Sequence, residues 1–157
     1  METIITLLGT FMLSMILFKI IQGDYKIALS GRIAMSAMLV LTAVGHFMFA
    51  KGMAMMLPDF IPFRIEIIYF TGIIELTAAI GLLVPRMQIK TAWWLILFFI
   101  LLLPANIYAA MKHVNLQEAN FNGEGLNYLW FRIPLQLFFI GWVYRFAIRP
   151  FSKDQTK

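Results

Sequence analysis

Long apolar runs alternate with short polar punctuation along the whole chain, and that alternation is the main structural signal. Five runs stand out, at about residues 4–21, 33–50, 67–85, 91–111 and 126–144. Each approaches the roughly 20 residues that a helix needs to cross about 30 Å of hydrocarbon. A helix satisfies every backbone polar group within its own segment, which an open strand in lipid cannot do. The short-period alternation of a membrane β-barrel is absent. The pattern predicts an all-α, polytopic membrane helix bundle of five spans, forming a single integral membrane domain over residues 1–157. The first run reads as a helix, not a signal peptide. Its leading residues carry Glu2 in place of a basic region, and no small-residue cleavage site precedes Gln22-Gly23-Asp24.

Composition agrees: 61% of residues are apolar and 13% charged, far from the balance of a soluble domain. With no cysteine in the sequence, disulfide exchange, thiolate catalysis and thiolate metal sites are excluded within this chain. The net charge of +5 suggests nucleic acid only until the charges are placed. Lys19, Lys26, Arg32, Arg86, Lys90, Arg145, Arg149, Lys153 and Lys157 all fall on one side of a five-span topology. The opposite side has Lys51, Arg64 and Lys112, diluted by Asp59, Glu66, Glu118 and Glu124. The positive-inside rule then puts the N-terminus outside and the C-terminus in the cytoplasm, with no nucleic-acid partner implied. Trp93, Trp94 and Trp142 are expected at the inner interface and Trp130 at the outer one. The two longer connections, 52–62 and 112–125, lie outside. The first is apolar but broken by prolines, which suits a short interfacial or re-entrant segment; the second carries an Asn-Gly turn signal.

Polar groups inside spans are costly, so they face the bundle interior and become functional candidates. Five qualify: His46, Glu75, Asn106, Arg132 and Gln136. A rise of 1.5 Å per residue puts His46 and Arg132 roughly 6–8 Å below the outer boundary, Asn106 about 9 Å, Gln136 about 12 Å and Glu75 about 16 Å. Four spans thus bring polar groups to one half of the bundle. Glu75 shares its helix face with Thr71, Gly72, Ala78 and Ala79, a small-residue stripe that permits close helix packing. Pro104, two residues before Asn106, loosens the backbone there and frees a carbonyl toward the same interior.

Structural explanations compete with a ligand site. Arg132 could pair with Glu75, directly or through Gln136, and merely fix register; Asn106 could be a simple interhelical donor. Met48, Met53, Met55 and Met56 near His46 raise copper, but adaptable packing accounts for methionine in a chain with eleven of them. No metal-ligand pair, phosphate-cradling glycine loop or nucleophile elbow is present.

The order of short motifs resembles the DoxX-like superfamily (DoxX/MauE type) of small bacterial membrane proteins. The resemblance rests on Gly45-His46-Phe47, Leu57-Pro58 and Ile61-Pro62, then Thr71-Gly72-Ile73-Ile74-Glu75 with Leu83-Val84-Pro85-Arg86. It continues through Pro104-Ala105-Asn106-Ile107-Tyr108 to Arg132-Ile133-Pro134-Leu135-Gln136, covering roughly residues 30–147 in order. It implies a four-helix core with the first helix as an addition, and residence in the bacterial cytoplasmic (inner) membrane. It also implies an accessory role in redox-linked membrane systems, or assistance to another protein.

The resulting expectation is a protein that holds a lipid-like or quinone-like molecule in an outer-half cavity lined by His46, Glu75, Asn106, Arg132 and Gln136. Quinone is the one carrier considered, and no metal site is expected. A rival reading uses Glu75 and His46 as the acid/base pair of a membrane-embedded enzyme. A third makes the bundle an assembly factor for a membrane or extracytoplasmic protein partner, with the cluster serving only structure.

Overall fold

The computed structural model describes residues 2–150. Lys153 and Lys157, counted above toward orientation, lie outside the described residues. The elements are α1 (Glu2–Gln22), α2 (Ile27–Met48), the short α3 (Ala50–Ala54), α4 (Arg64–Leu83), α5 (Gln88–Met111) and α6 (Asn127–Val143). A π-helical turn, Tyr144–Ile148, continues α6. Among the described residues there is no strand, only an isolated bridge between Asn115 and Asn120 in the α5–α6 connection. Five helices are long and apolar enough to cross a membrane, the last being α6 together with its π turn. The all-helical expectation therefore holds, and so does the number of long apolar helices.

Local chemistry explains the breaks. Gly23 takes a positive φ of 73°, a conformation that costs glycine nothing, and turns the chain from α1 into α2. Val84 is extended, as a residue before proline should be, so α4 stops at Leu83 and Pro85 follows in the turn. Phe49 leaves the helical region at φ −111°, ψ 28°, bending the chain at the end of α2 over into α3. The apolar 52–62 stretch thus includes most of a short capping helix followed by turns. Ala50 and Ala54 pack with Ile68 of α4, against Met53 and Leu57.

Around the core, α2 packs on α4, α4 on α5, and α5 on α6, while the π turn brings the end of α6 back against α2. Small residues permit the closest approaches. A Cβ on Gly72 would lie 3.0 Å from that of His46, and one on Gly81 would lie 2.4 Å from the Thr91 hydroxyl oxygen. The Ser36 hydroxyl crosses from α2 to donate to the Ala79 carbonyl at 2.8 Å. Helix α1 lies against α2, and its Phe11 ring meets Trp142 edge-on at 5.1 Å, so it covers the seam between α2 and α6. Only Leu7 and Ser14 of α1 are buried.

The end away from α3 is locked by a polar knot that differs from the expected picture. Helix α2 starts at Ile27, six residues before the apolar run, because a helix persists through polar residues that find partners. Arg32 is therefore helical and half-buried, not a connecting-loop charge, and donates to the Gln88 side chain. Gln88 in turn donates to the Ala147 carbonyl at 2.7 Å. Trp142 is only 8% exposed and donates from Nε1 to the Gly31 carbonyl at 2.9 Å. The interfacial expectation fails for Trp142, whose ring is core. Trp93, Trp94 and Trp130 are exposed.

Candidate functional site

Each candidate residue reaches the interior because its helix packs through small neighbours. Glu75 projects from the buried face of α4, between Gly72 and Ala78/Ala79, and is 3% exposed. His46 sits two residues before the end of α2 and is 8% exposed. His46 Nδ1 lies 2.9 Å from the Thr42 carbonyl and 3.2 Å from Glu75 Oε2. Both neighbours are acceptors, so Nδ1 carries the proton. That N–H is directed at Thr42, and Glu75 Oε2 is left buried without an aligned donor among the described residues. Leaving such an oxygen unpaired costs roughly 1–3 kcal/mol or more, so the arrangement calls for an explanation.

Residue counting separates His46 and Glu75 in depth by more than one turn, yet they touch. The first turns of α4 rise past the end of α2 and pack beside α3, with Ile68 against Ala50 and Ala54. Arg64 therefore does not mark the level at which α2 ends, and Glu75 lies level with His46.

Asn106 and Gln136 form a second unit. Asn106 Nδ2 donates to Gln136 Oε1 at 3.3 Å, and Gln136 Nε2 donates to the Phe99 carbonyl. This is one residue from Ile100, whose carbonyl loses its helical donor at Pro104. The carbonyl that receives the Gln136 amide is therefore not the one that Pro104 frees.

Arg132 is one turn from Gln136 and has neither a carboxylate within 4 Å nor a hydrogen-bond partner among the described residues. It shares a cavity of about 40 Å³ with Glu75 and Gln136. Thr3 of α1, Met38 and Thr42 of α2 and apolar side chains from α5 and α6 complete the walls, so all five long helices contribute. His46 lies behind Glu75 and Asn106 behind Gln136; neither lines the space.

The direct Arg132–Glu75 pair considered from sequence does not form. Two complementary groups instead face one small space without touching. Sequence reasoning missed Thr42 and Thr3, whose ordinary role in an apolar helix is to bond their own backbone. Spacing offered one usable signal, since Thr42 lies one turn before His46. Among the described residues no three His, Asp or Glu side chains gather to hold a metal.

No curated protein and no solved structure matches the chain. Residues 35–147, which include all five polar candidates but not α1, match a protein family described as "Domain of unknown function (DUF8561)", and the chain belongs to that family.

Proposed function

We propose that the chain is a DoxX-like binding protein of the bacterial cytoplasmic membrane. Its α3 end faces outward and its C-terminus the cytoplasm, and the cavity receives the polar head of a lipid-like or quinone-like molecule. One observation carries this reading: Arg132 and Glu75 line the same space as the Gln136 amide, unpaired with each other. A guanidinium offers only donors and a carboxylate only acceptors. A head with one acceptor and one O–H or N–H donor satisfies both at once.

Size narrows the occupant. A cavity of about 40 Å³ has room for about three waters, or a head edge of a few non-hydrogen atoms. Whole drug-sized ligands take roughly 300–1,000 Å³, so the remainder of the molecule must lie among the helices or in lipid. A hydroxyl at the edge of a quinol ring on an isoprenoid tail, which both donates and accepts, fits that description, whereas the carbonyl of the oxidised quinone would satisfy Arg132 alone. A role as an accessory component of a redox-linked membrane system follows, with the electrons carried by the bound molecule because the chain has no cysteine.

Native mass spectrometry of the detergent-extracted protein tests the proposal. The wild type is expected to retain a molecule of lipid or quinone mass. Arg132→Gln should weaken retention at least about tenfold, the worth of a charge-assisted hydrogen bond, and Glu75→Gln should also reduce it. Bare wild-type protein, or wild-type retention in both variants, overturns the reading.

A further inference from the structure

We propose that His46 is a proton relay that connects Glu75, and through it the cavity, to the aqueous phase at the α3 end of the bundle. Glu75 stands between two environments: it lines the cavity beside Arg132, while its Oε2 faces His46 Nδ1 at 3.2 Å. His46 lies outside the cavity lining, in the last turn of α2 where the chain bends into α3. The Thr42 carbonyl at 2.9 Å holds the ring with its Nδ1–H inward. Nε2 makes no hydrogen bond among the described residues, and it is not among the fully buried unpaired atoms, so it retains contact with open space.

Other roles for this pair explain less. A register-fixing ion pair would align the N–H with the carboxylate, whereas here it is aligned with Thr42. A Cβ on Gly72 would meet that of His46 at 3.0 Å, so the absence of a side chain at Gly72 is what lets the imidazole approach Glu75 this closely. The carboxylate oxygen with no aligned donor is the atom a relay needs free to receive a proton.

The step balances as follows. Nε2 takes a proton from water, leaving hydroxide; the ring turns its Nδ1–H from the Thr42 carbonyl toward Glu75, 3.2 Å away, and that bond breaks as the proton passes to Oε2. Glu75 becomes a neutral acid, and the imidazole is left neutral with its proton on Nε2. The reverse sequence returns a proton from Glu75 to water. The charged or titratable groups facing Glu75 are His46 from α2 and Arg132 from α6; α1 contributes Thr3, and α5 contributes Phe99 and Leu102. The relay does not depend on which molecule the cavity accepts.

The test uses the full chain, uniformly oriented in sealed lipid vesicles, and N,N′-dicyclohexylcarbodiimide, a lipid-soluble reagent that couples to protonated carboxyls. Labelling of Glu75 is mapped by mass spectrometry after a pH jump on one side. Labelling of the wild type should fall when pH is raised at the α3 side and stay constant when it is raised at the other. His46→Asn keeps an N–H directed at Thr42 but cannot relay, and should respond about a hundredfold more slowly, within the range of lost acid–base assistance. Imidazole added at the α3 side should restore the fast response in His46→Ala. An unlabelled Glu75, labelling that follows the opposite side, or an unaltered response in His46→Asn overturns the relay. None of these outcomes bears on ligand retention, so the two proposals fail separately.

Discussion

Gly31→Ala measures how tightly the end of the bundle away from α3 is closed. A Cβ at position 31 would lie 2.3 Å from Phe146 Cγ, 2.6 Å from Cδ1 and 2.7 Å from Cβ. Carbon atoms pack best at about 3.5–4.0 Å, so a shift of about 1 Å is needed. Rotating the Phe146 ring does not suffice, because its own Cβ, fixed by the backbone, is also too close. The π turn must move away from α2, stretching the 2.9 Å bond from Trp142 Nε1 to the Gly31 carbonyl. Overpacking of this kind costs about 1–3 kcal/mol, and an interhelical hydrogen bond in a membrane protein is worth about 0.6 kcal/mol. Replacing glycine by alanine inside a helix returns up to about 1 kcal/mol. The net expectation is destabilisation by about 0.5–2.5 kcal/mol. The assay is reversible unfolding in mixed micelles of increasing sodium dodecyl sulfate. Gly141→Ala is the control: it lies in α6 near Trp142, and a Cβ there meets nothing within 4 Å. It should be neutral or slightly stabilising. If Gly31→Ala is as stable as Gly141→Ala, the close packing of α2 on the π turn is refuted.

Two further outcomes use the same unfolding assay. Gln136→Leu removes the side-chain donor to the Phe99 carbonyl and the acceptor of the Asn106 amide together, and should cost about 1–2 kcal/mol. Asn106→Leu removes only the 3.3 Å bond and should cost about half as much; the reverse order would contradict the network. Gln88→Leu leaves both Arg32 and the Ala147 carbonyl without this partner, so a loss of about 2–3 kcal/mol is expected. A neutral Gln88→Leu would reduce the polar knot to an accidental contact.

Much of this architecture follows from hydropathy and a few punctuating residues. Runs of eighteen or more residues that are apolar but for a few polar groups leave the backbone no alternative to helix in lipid, so the five long helices are legible without coordinates. Val84-Pro85, Gly23 and the prolines at 58 and 62 mark breaks for local steric reasons, and those reasons survive any packing. The five polar candidates are legible on the same ground, because a polar group in a span stands out against its surroundings.

Partnership is where sequence reasoning stops. Arg32 and Gln88 look like boundary residues, since a residue at the edge of an apolar run reads as solvated until a neighbouring helix is seen to cover it. Trp142 looks like an interfacial anchor for the same reason, yet the Gly31 carbonyl and the Phe11 ring make it core. Counting residues from each span end assumes that all helices end at one level. The bend at Phe49 and the overshoot of α4 past α2 break that assumption and bring His46 to Glu75.

Sequence by itself determined that the chain is apolar and helical, with its few interior polar groups drawn from four spans. Tertiary structure decided how those groups are sorted: His46 with Glu75, Asn106 with Gln136, and Arg132 facing the cavity without a partner among the described residues. The physical reason is one of range. Hydropathy and backbone sterics act within a segment, whereas hydrogen bonds and cavities depend on the angle and offset at which separate helices meet.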